Sequence, residues 1–193
     1  MRGSLVIALM LLPGLAPAAG EALTAVREQH YAVHGQAIRE IQASMLNSAP
    51  VSQDANRYSG KASSAYSADI QMRPLPGGGC VMENAQVRLE SVVTLPQLMP
   101  AARSVAVDAE WQRFYAALRA HEYQHVQNGQ AVARAVQHWL NSVESRLPCE
   151  QALSRVKSAV QAAFMQLDEH EKEVDRLSGH GEAQGVALDL RVR

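Results

Sequence analysis

The sequence predicts an α+β fold in which a small antiparallel sheet packs on two long antiparallel helices. In the first half of the chain, apolar and polar residues alternate in short runs separated by turn residues. Such alternation is typical of strands with one buried face. The second half contains two long runs with apolar residues every three or four positions, which is the spacing of amphipathic helices. A chain of 193 residues, 47% of them hydrophobic, can bury one sizeable core.

The N-terminal residues have the composition of a secretory signal peptide. A basic start is followed by an apolar run over 5–12, a Pro-Gly break and a stretch of small residues at 16–18. The apolar run is too short to span a bilayer. We expect residues 1–19 to be removed and residues 20–193 to form a single domain. This predicts a secreted or periplasmic protein with no stable membrane insertion after signal removal.

Several elements are expected before the first long helix. In the clearest strand, alternate residues from Ala85 to Val93 face one side, whereas Gln86, Arg88 and Glu90 face the other. In chain order the predicted elements are a strand over 29–33, a helix over 37–46, a polar turn-rich stretch over 47–60, a strand over 62–72, a glycine-rich turn over 74–79 and the clear strand over 81–95.

Two long helices follow. The first is expected over 109–141 with Asp108 as its N-cap, because a short carboxylate can accept hydrogen bonds from the first helical N–H groups. Pro148 separates it from a second helix over 150–177. The residues from Glu182 onward are expected to be peripheral.

The two cysteines, Cys80 and Cys149, are expected to form a disulfide, because an exported chain meets oxidising conditions. The alternative is that they bind zinc. They are far apart and lack the C-x-x-C spacing of zinc knuckles, so the disulfide is favoured.

The overall charge gives no support for a nucleic-acid partner. The formal net charge is −1 and the pI is about 6.7. A protein that binds phosphate backbones needs clustered basic residues, and no large basic patch is visible in the sequence.

The motif that carries most functional information is His121-Glu122-Tyr123-Gln124-His125, an H-E-x-x-H pattern within the first long helix. Positions four apart lie on the same helix face, so His121 and His125 can bind one metal ion. Catalytic zinc takes three protein ligands and leaves one position for water. Glu122, which would not be a ligand, can act as the general base.

The third ligand is expected near the end of the second long helix. His180 lies between two glycines, and Asp175, Glu171 and His170 lie one or two turns earlier. Zinc binds imidazole and carboxylate equally well, so the spacing leaves these alternatives open.

Several short motifs follow one another in a recognisable order. They are Val33-His34-Gly35, Tyr58-Ser59-Gly60, Gly78-Gly79-Cys80, Leu95-Pro96, Trp111, the H-E-x-x-H motif, Cys149, Asp175 and His180-Gly181. In this order the chain resembles a family of bacterial secreted zinc-dependent proteases, catalogued mainly as a domain of unknown function. The resemblance covers roughly 31–185 and includes a Tyr-Asp-x-x-Thr-x-His-Gly signature, in which Val174 replaces the tyrosine and Ser178 the threonine.

The resemblance implies a zincin-like fold with one Zn²⁺ per chain. It implies that His121 and His125 are ligands, Glu122 is the base and His180 is the third ligand. Asp175 would be an alternative ligand or a partner that holds a histidine ring.

These observations predict an exported zinc-dependent metalloprotease that hydrolyses bonds of a peptide or protein substrate. The alternative is a non-catalytic periplasmic domain that binds a metal or a partner on the same scaffold. A weaker possibility is amide hydrolysis on cell-wall peptides. Glu122 favours catalysis, because a structural zinc site has no need of a free carboxylate.

Overall fold

The computed structural model describes residues 20–49 and 58–193 and has an α+β fold with a small mixed sheet and three helices. The predicted signal peptide at 1–19 and most of the turn-rich stretch lie outside these residues. The elements are β1 (Leu23–Val33), α1 (Ile38–Ser48), β2 (Lys61–Pro74), β3 (Cys80–Leu98), α2 (Val105–Leu140), β4 (Glu144–Ser145), α3 (Cys149–Ser178) and a 3-10 turn at Glu182–Gln184.

The sheet has the order β1-β3-β2, with β4 paired to the start of β3. A glycine-rich turn connects β2 to β3 as an antiparallel hairpin, as the sequence predicts. However, β1 pairs with β3 in parallel, so the prediction of a purely antiparallel sheet is wrong. Apolar alternation determines which side chains face the core but not the strand direction. The connection from β1 to β3 is long enough for a parallel pairing because it contains both α1 and β2.

The core lies between the sheet and the helices in two clusters of buried residues. The predicted inward face of β3 is confirmed, because Val87, Leu89 and Val93 are fully or almost fully buried. The first half of α2 packs with α1 and the ends of β1 and β3, and Phe114 and Leu118 belong to this cluster. The second half of α2 packs with α3 and the beginning of β3. Thus α2 is the central element of the fold.

The first turn of α2 begins earlier than the sequence predicts. Ser104 is the N-cap, and its hydroxyl accepts a hydrogen bond from the Val107 N–H at 3.3 Å. Asp108 is therefore not the cap. It lies inside the helix and accepts a hydrogen bond from Arg103 at 2.9 Å. Val107 is buried, and this burial favours the additional turn.

The predicted disulfide between Cys80 and Cys149 is present. It joins the beginning of β3 to the beginning of α3. From there α3 returns alongside α2, so that Glu171 near its end contacts His125 in the middle of α2. The predicted antiparallel arrangement of the two long helices therefore places the end of α3 against the H-E-x-x-H segment.

Residues 182–193 are not peripheral. Four of their apolar side chains are partly buried against the first half of α2, namely Val186, Leu188, Leu190 and Val192. The stretch is mostly irregular and has no helical or strand-like apolar periodicity, so its burial could not be predicted from a periodic pattern. Among the described residues, no helix is long and apolar enough to cross a membrane.

Candidate metal centre

Three side chains from α2 and α3 converge beside the sheet. His121 and His125 lie four residues apart on α2, and Asp175 reaches them from α3. The Nε2 atoms of the two histidines are 3.4 Å apart, and Asp175 Oδ1 lies 3.2 Å from Nε2 of His121 and 2.9 Å from Nε2 of His125. Within the described part of the chain, this is the one group of at least three such side chains whose donor atoms could hold a metal ion.

The donor atoms fit zinc in both type and spacing. A tetrahedral Zn²⁺ with bonds of about 2.0–2.1 Å places its ligand atoms roughly 3.3 Å from one another. The observed separations, from 2.9 to 3.4 Å, are close to this value. Two imidazoles and one carboxylate form a three-ligand set that leaves one position open, as catalytic zinc requires.

The opposite nitrogen of each imidazole has its own hydrogen-bond acceptor. Nδ1 of His121 lies 2.8 Å from Oε1 of Gln184, and Nδ1 of His125 contacts Oε2 of Glu171. Asn128 donates to the other oxygen of Glu171 at 2.9 Å. A proton on Nδ1 leaves the lone pair on Nε2, so both rings are prepared for a metal at Nε2.

Glu122 is buried next to these histidines but is not one of the grouped donors. Its carboxylate accepts a hydrogen bond from the Ala62 N–H at the beginning of β2, and it lies directly against Gly60. Burial raises the pKa of Glu122 to about 7, although the neighbouring His121 and His125 act to lower it. A carboxylate beside a metal position can receive or return a proton there.

Asp175 and the two histidines shift one another's pKa values. The hydrogen bond with Asp175 raises the pKa of His121, although burial opposes this shift. Burial also lowers the pKa of His125, but hydrogen bonds with Asp175 and Glu171 outweigh it and raise the pKa to about 10. Burial raises the pKa of Asp175, and its bonds to both histidines more than reverse that effect. Protons and a metal ion would therefore compete for the same atoms.

His180 lies beside the cluster, with Nδ1 3.8 Å from Oδ2 of Asp175. It has a left-handed backbone conformation, and its ring contacts the Tyr58 ring at a centroid distance of 4.1 Å. Its side chain is 45% exposed. Asp175 thus belongs to the group of donor atoms formed with His121 and His125, whereas His180 does not. The assignment of His180 as a ligand stays a prediction.

The other two candidates for the third ligand have different positions. Glu171 contacts the back of the His125 ring, whereas His170 lines an apolar groove between α2 and α3. Sequence reasoning missed Gln184, because a glutamine in a stretch expected to be peripheral carries no motif. Gly60 belonged to a recognised turn, but its contact with Glu122 depends on the tertiary fold.

The fold and the cluster define an α+β protein in which two antiparallel helices bring two imidazoles and a carboxylate together. A family of bacterial proteins of unknown function, DUF922, matches residues 28–181, and the chain belongs to this family. The matched range contains His121, Glu122, His125 and Asp175 but ends before Gln184. Comparison with curated proteins and with solved structures found no match.

Proposed function

We propose that this protein is an exported zinc-dependent metallopeptidase that hydrolyses peptide bonds. The observation that carries the proposal is the convergence of His121, His125 and Asp175, with Nε2 and Oδ1 atoms within 3.4 Å of one another and a buried glutamate beside them. One Zn²⁺ per chain would be held by these three side chains. His180 is the alternative third ligand, and it is favoured by the resemblance of the sequence to secreted zinc-dependent proteases.

The roles of the chain's own residues follow from their positions. Bound zinc would supply Lewis acidity to a substrate carbonyl and would make water a better nucleophile. Glu122 would accept a proton from the attacking water and deliver it to the leaving amine. Its hydrogen bond from Ala62 and its contact with Gly60 hold the carboxylate in one place, which a general base needs.

The arrangement of the sheet supports a peptide as the substrate. β2 is at one end of the described strand order, and its first residues contact Glu122. An extended peptide can pair with the backbone of an edge strand and thereby present successive peptide bonds to the site. Such pairing recognises the backbone, which all peptides share.

One observation favours the non-catalytic alternative, in which the protein binds a partner. The apolar groove between α2 and α3 is lined by Val136, Trp139, Val160 and Leu167, among others. Trp139 is 41% exposed there. Exposed apolar grooves are common at interaction sites. However, this groove does not account for the buried Glu122 next to the histidine cluster.

The experiment that separates the two functions uses Glu122→Gln. The amide keeps the size of the side chain but cannot accept the proton, so this variant should retain zinc and lose hydrolysis of a quenched fluorescent peptide library. The wild type and Glu122→Gln are compared at equal zinc content. If the wild type binds zinc but cleaves no peptide, the catalytic proposal is wrong and the binding function is favoured.

A further inference from the structure

We propose that Gln184 is a positioning residue that orients His121 for metal binding, so that residues 182–193 form part of the metal centre. This inference rests on the proposed function, because it assigns a role at the same zinc site. Gln184 lies outside the range matched by the family, which ends at residue 181. The dependence on Gln184 therefore follows from contacts within this chain and not from the family match.

The contact with the imidazole is direct. Oε1 of Gln184 lies 2.8 Å from Nδ1 of His121, and the His121 side chain is almost completely buried. A histidine that binds a metal through Nε2 must carry its proton on Nδ1, and an amide oxygen accepts that proton well. The bond also fixes the rotation of the ring about its terminal torsion, which otherwise has a broad range.

The loop that carries Gln184 approaches His121 as closely as a glycine allows. A Cβ added to Gly181 would lie 3.0 Å from Cγ of His121 and 2.6 Å from Cγ2 of Val186. The backbone of Gly181 also has a positive φ of 86°. The Gln184 N–H donates to the Gly181 carbonyl at 2.8 Å. The ring is thus held between the loop and α2.

Residues 182–193 are fastened to the same helix that carries His121. Arg113 donates to the Gly185 carbonyl at 2.9 Å, and Glu110 accepts a hydrogen bond from the Asp189 N–H at 2.6 Å. Further along, the Ser104 hydroxyl donates to the carbonyl of residue 193 at 3.0 Å. The segment therefore runs back along α2 toward its beginning. These contacts fix the distance between Gln184 and His121.

The second ligand is supported from another element. Nδ1 of His125 contacts Glu171, which belongs to α3 and to the matched range. Removal of the Gln184 side chain should therefore loosen one ligand and leave the other supported. We therefore expect a lower affinity for zinc but not a complete loss of zinc binding.

The test measures the zinc dissociation constant of the full chain by competition with a chromophoric chelator. Gln184→Ala should weaken zinc binding by about 10–100-fold, the usual effect of losing such a partner. Gln184→Glu preserves an acceptor at the same reach and should restore an affinity near that of the wild type. Gln184 is exposed, so these changes should leave the fold intact.

Glu182→Gln is the matched control. Glu182 is exposed and lies in the same 3-10 turn as Gln184. This variant should bind zinc like the wild type. In the zinc-loaded protein, nitrogen-15 NMR should also detect a slowly exchanging Nδ1–H of His121 in the wild type and in Gln184→Glu, and faster exchange in Gln184→Ala.

The outcomes separate this inference from the proposed function. If the wild type binds zinc and Gln184→Ala binds it equally well, the positioning role is wrong and the metal centre stands. The same conclusion follows if Gln184→Glu fails to restore the affinity. If the wild type binds no zinc, both the metal centre and the role of Gln184 are refuted.

Discussion

Replacement of Gly60 by alanine tests how closely the beginning of β2 holds the proposed base. An added Cβ would lie 2.6 Å from Oε1 of Glu122 and 2.8 Å from Cδ1 of Leu118. Both distances are too short for the contacts to persist, so the two side chains must move or the backbone of residue 60 must shift away from α2. Leu118 and Glu122 are both buried, so either movement disturbs the position of the carboxylate relative to the beginning of β2.

The size of the effect follows from these two contacts. Overpacking against a core leucine costs about 1–3 kcal/mol of folding stability. Displacement of the base should reduce peptide hydrolysis by about 10²–10⁴-fold, the usual contribution of a positioned proton acceptor. Zinc affinity should change little, because the three metal donors lie on α2 and α3 and the atoms nearest to the added methyl group belong to Glu122 and Leu118.

Chemical unfolding, chelator competition and peptide hydrolysis measure these three quantities. Gly77→Ala is the control, because a Cβ at that position meets nothing within 4 Å. It should change the free energy of unfolding by less than about 0.5 kcal/mol. Full stability and full hydrolysis in Gly60→Ala would refute the close contact between β2 and Glu122.

Three further predictions concern the disulfide, the ion pair between Glu110 and Arg113, and the metal. The double variant Cys80→Ala, Cys149→Ala should lower the free energy of unfolding by about 4 kcal/mol, measured by urea unfolding. The reason is that the disulfide closes a loop with a sequence separation of 69 and so reduces the conformational entropy of the unfolded chain. The hydrogen bond with Arg113 lowers the pKa of Glu110, so its stabilising contribution is present above the ordinary carboxyl pKa and is lost as the pH falls through the lowered value. The melting temperature should therefore fall less between pH 7 and pH 3 in Glu110→Gln than in the wild type. An equal decline in both proteins would contradict the stabilising role of the Glu110–Arg113 ion pair. Removal of metal by a chelator should lower the melting temperature. Zinc at about 1,000 times its dissociation constant should then raise the free energy of unfolding by about 4 kcal/mol, and an unchanged melting temperature would contradict specific binding to the folded state.

The elements of the fold were predictable to the extent that local patterns determine them. The alternation in β3 and the apolar spacing in α2 and α3 reflect one buried face, and the structure buries those faces. Strand direction was not predictable in the same way, because side chains alternate between the two faces of a sheet in parallel and in antiparallel strands alike. The first turn of α2 was missed because the buried Val107 and the cap at Ser104 depend on tertiary packing.

The same distinction applies to the candidate site. The spacing of His121 and His125 already places both rings on one helix face, and the structure places them there. Asp175 was one of several acidic and histidine side chains near the end of α3, and only the packing of α3 on α2 separates it from its neighbours. Gln184 carries no chemical motif, so its contact with His121 becomes visible only in three dimensions.

Metal content tests the central claim most directly. Elemental mass spectrometry of the purified chain should find about one zinc per chain in the wild type, and His121→Ala should lose it. Asp175→Ala should also lose zinc, whereas His180→Ala should retain it if Asp175 is the third ligand. The reverse result for the last two variants would make His180 the ligand. No zinc in the wild type after reconstitution would contradict the metal centre itself.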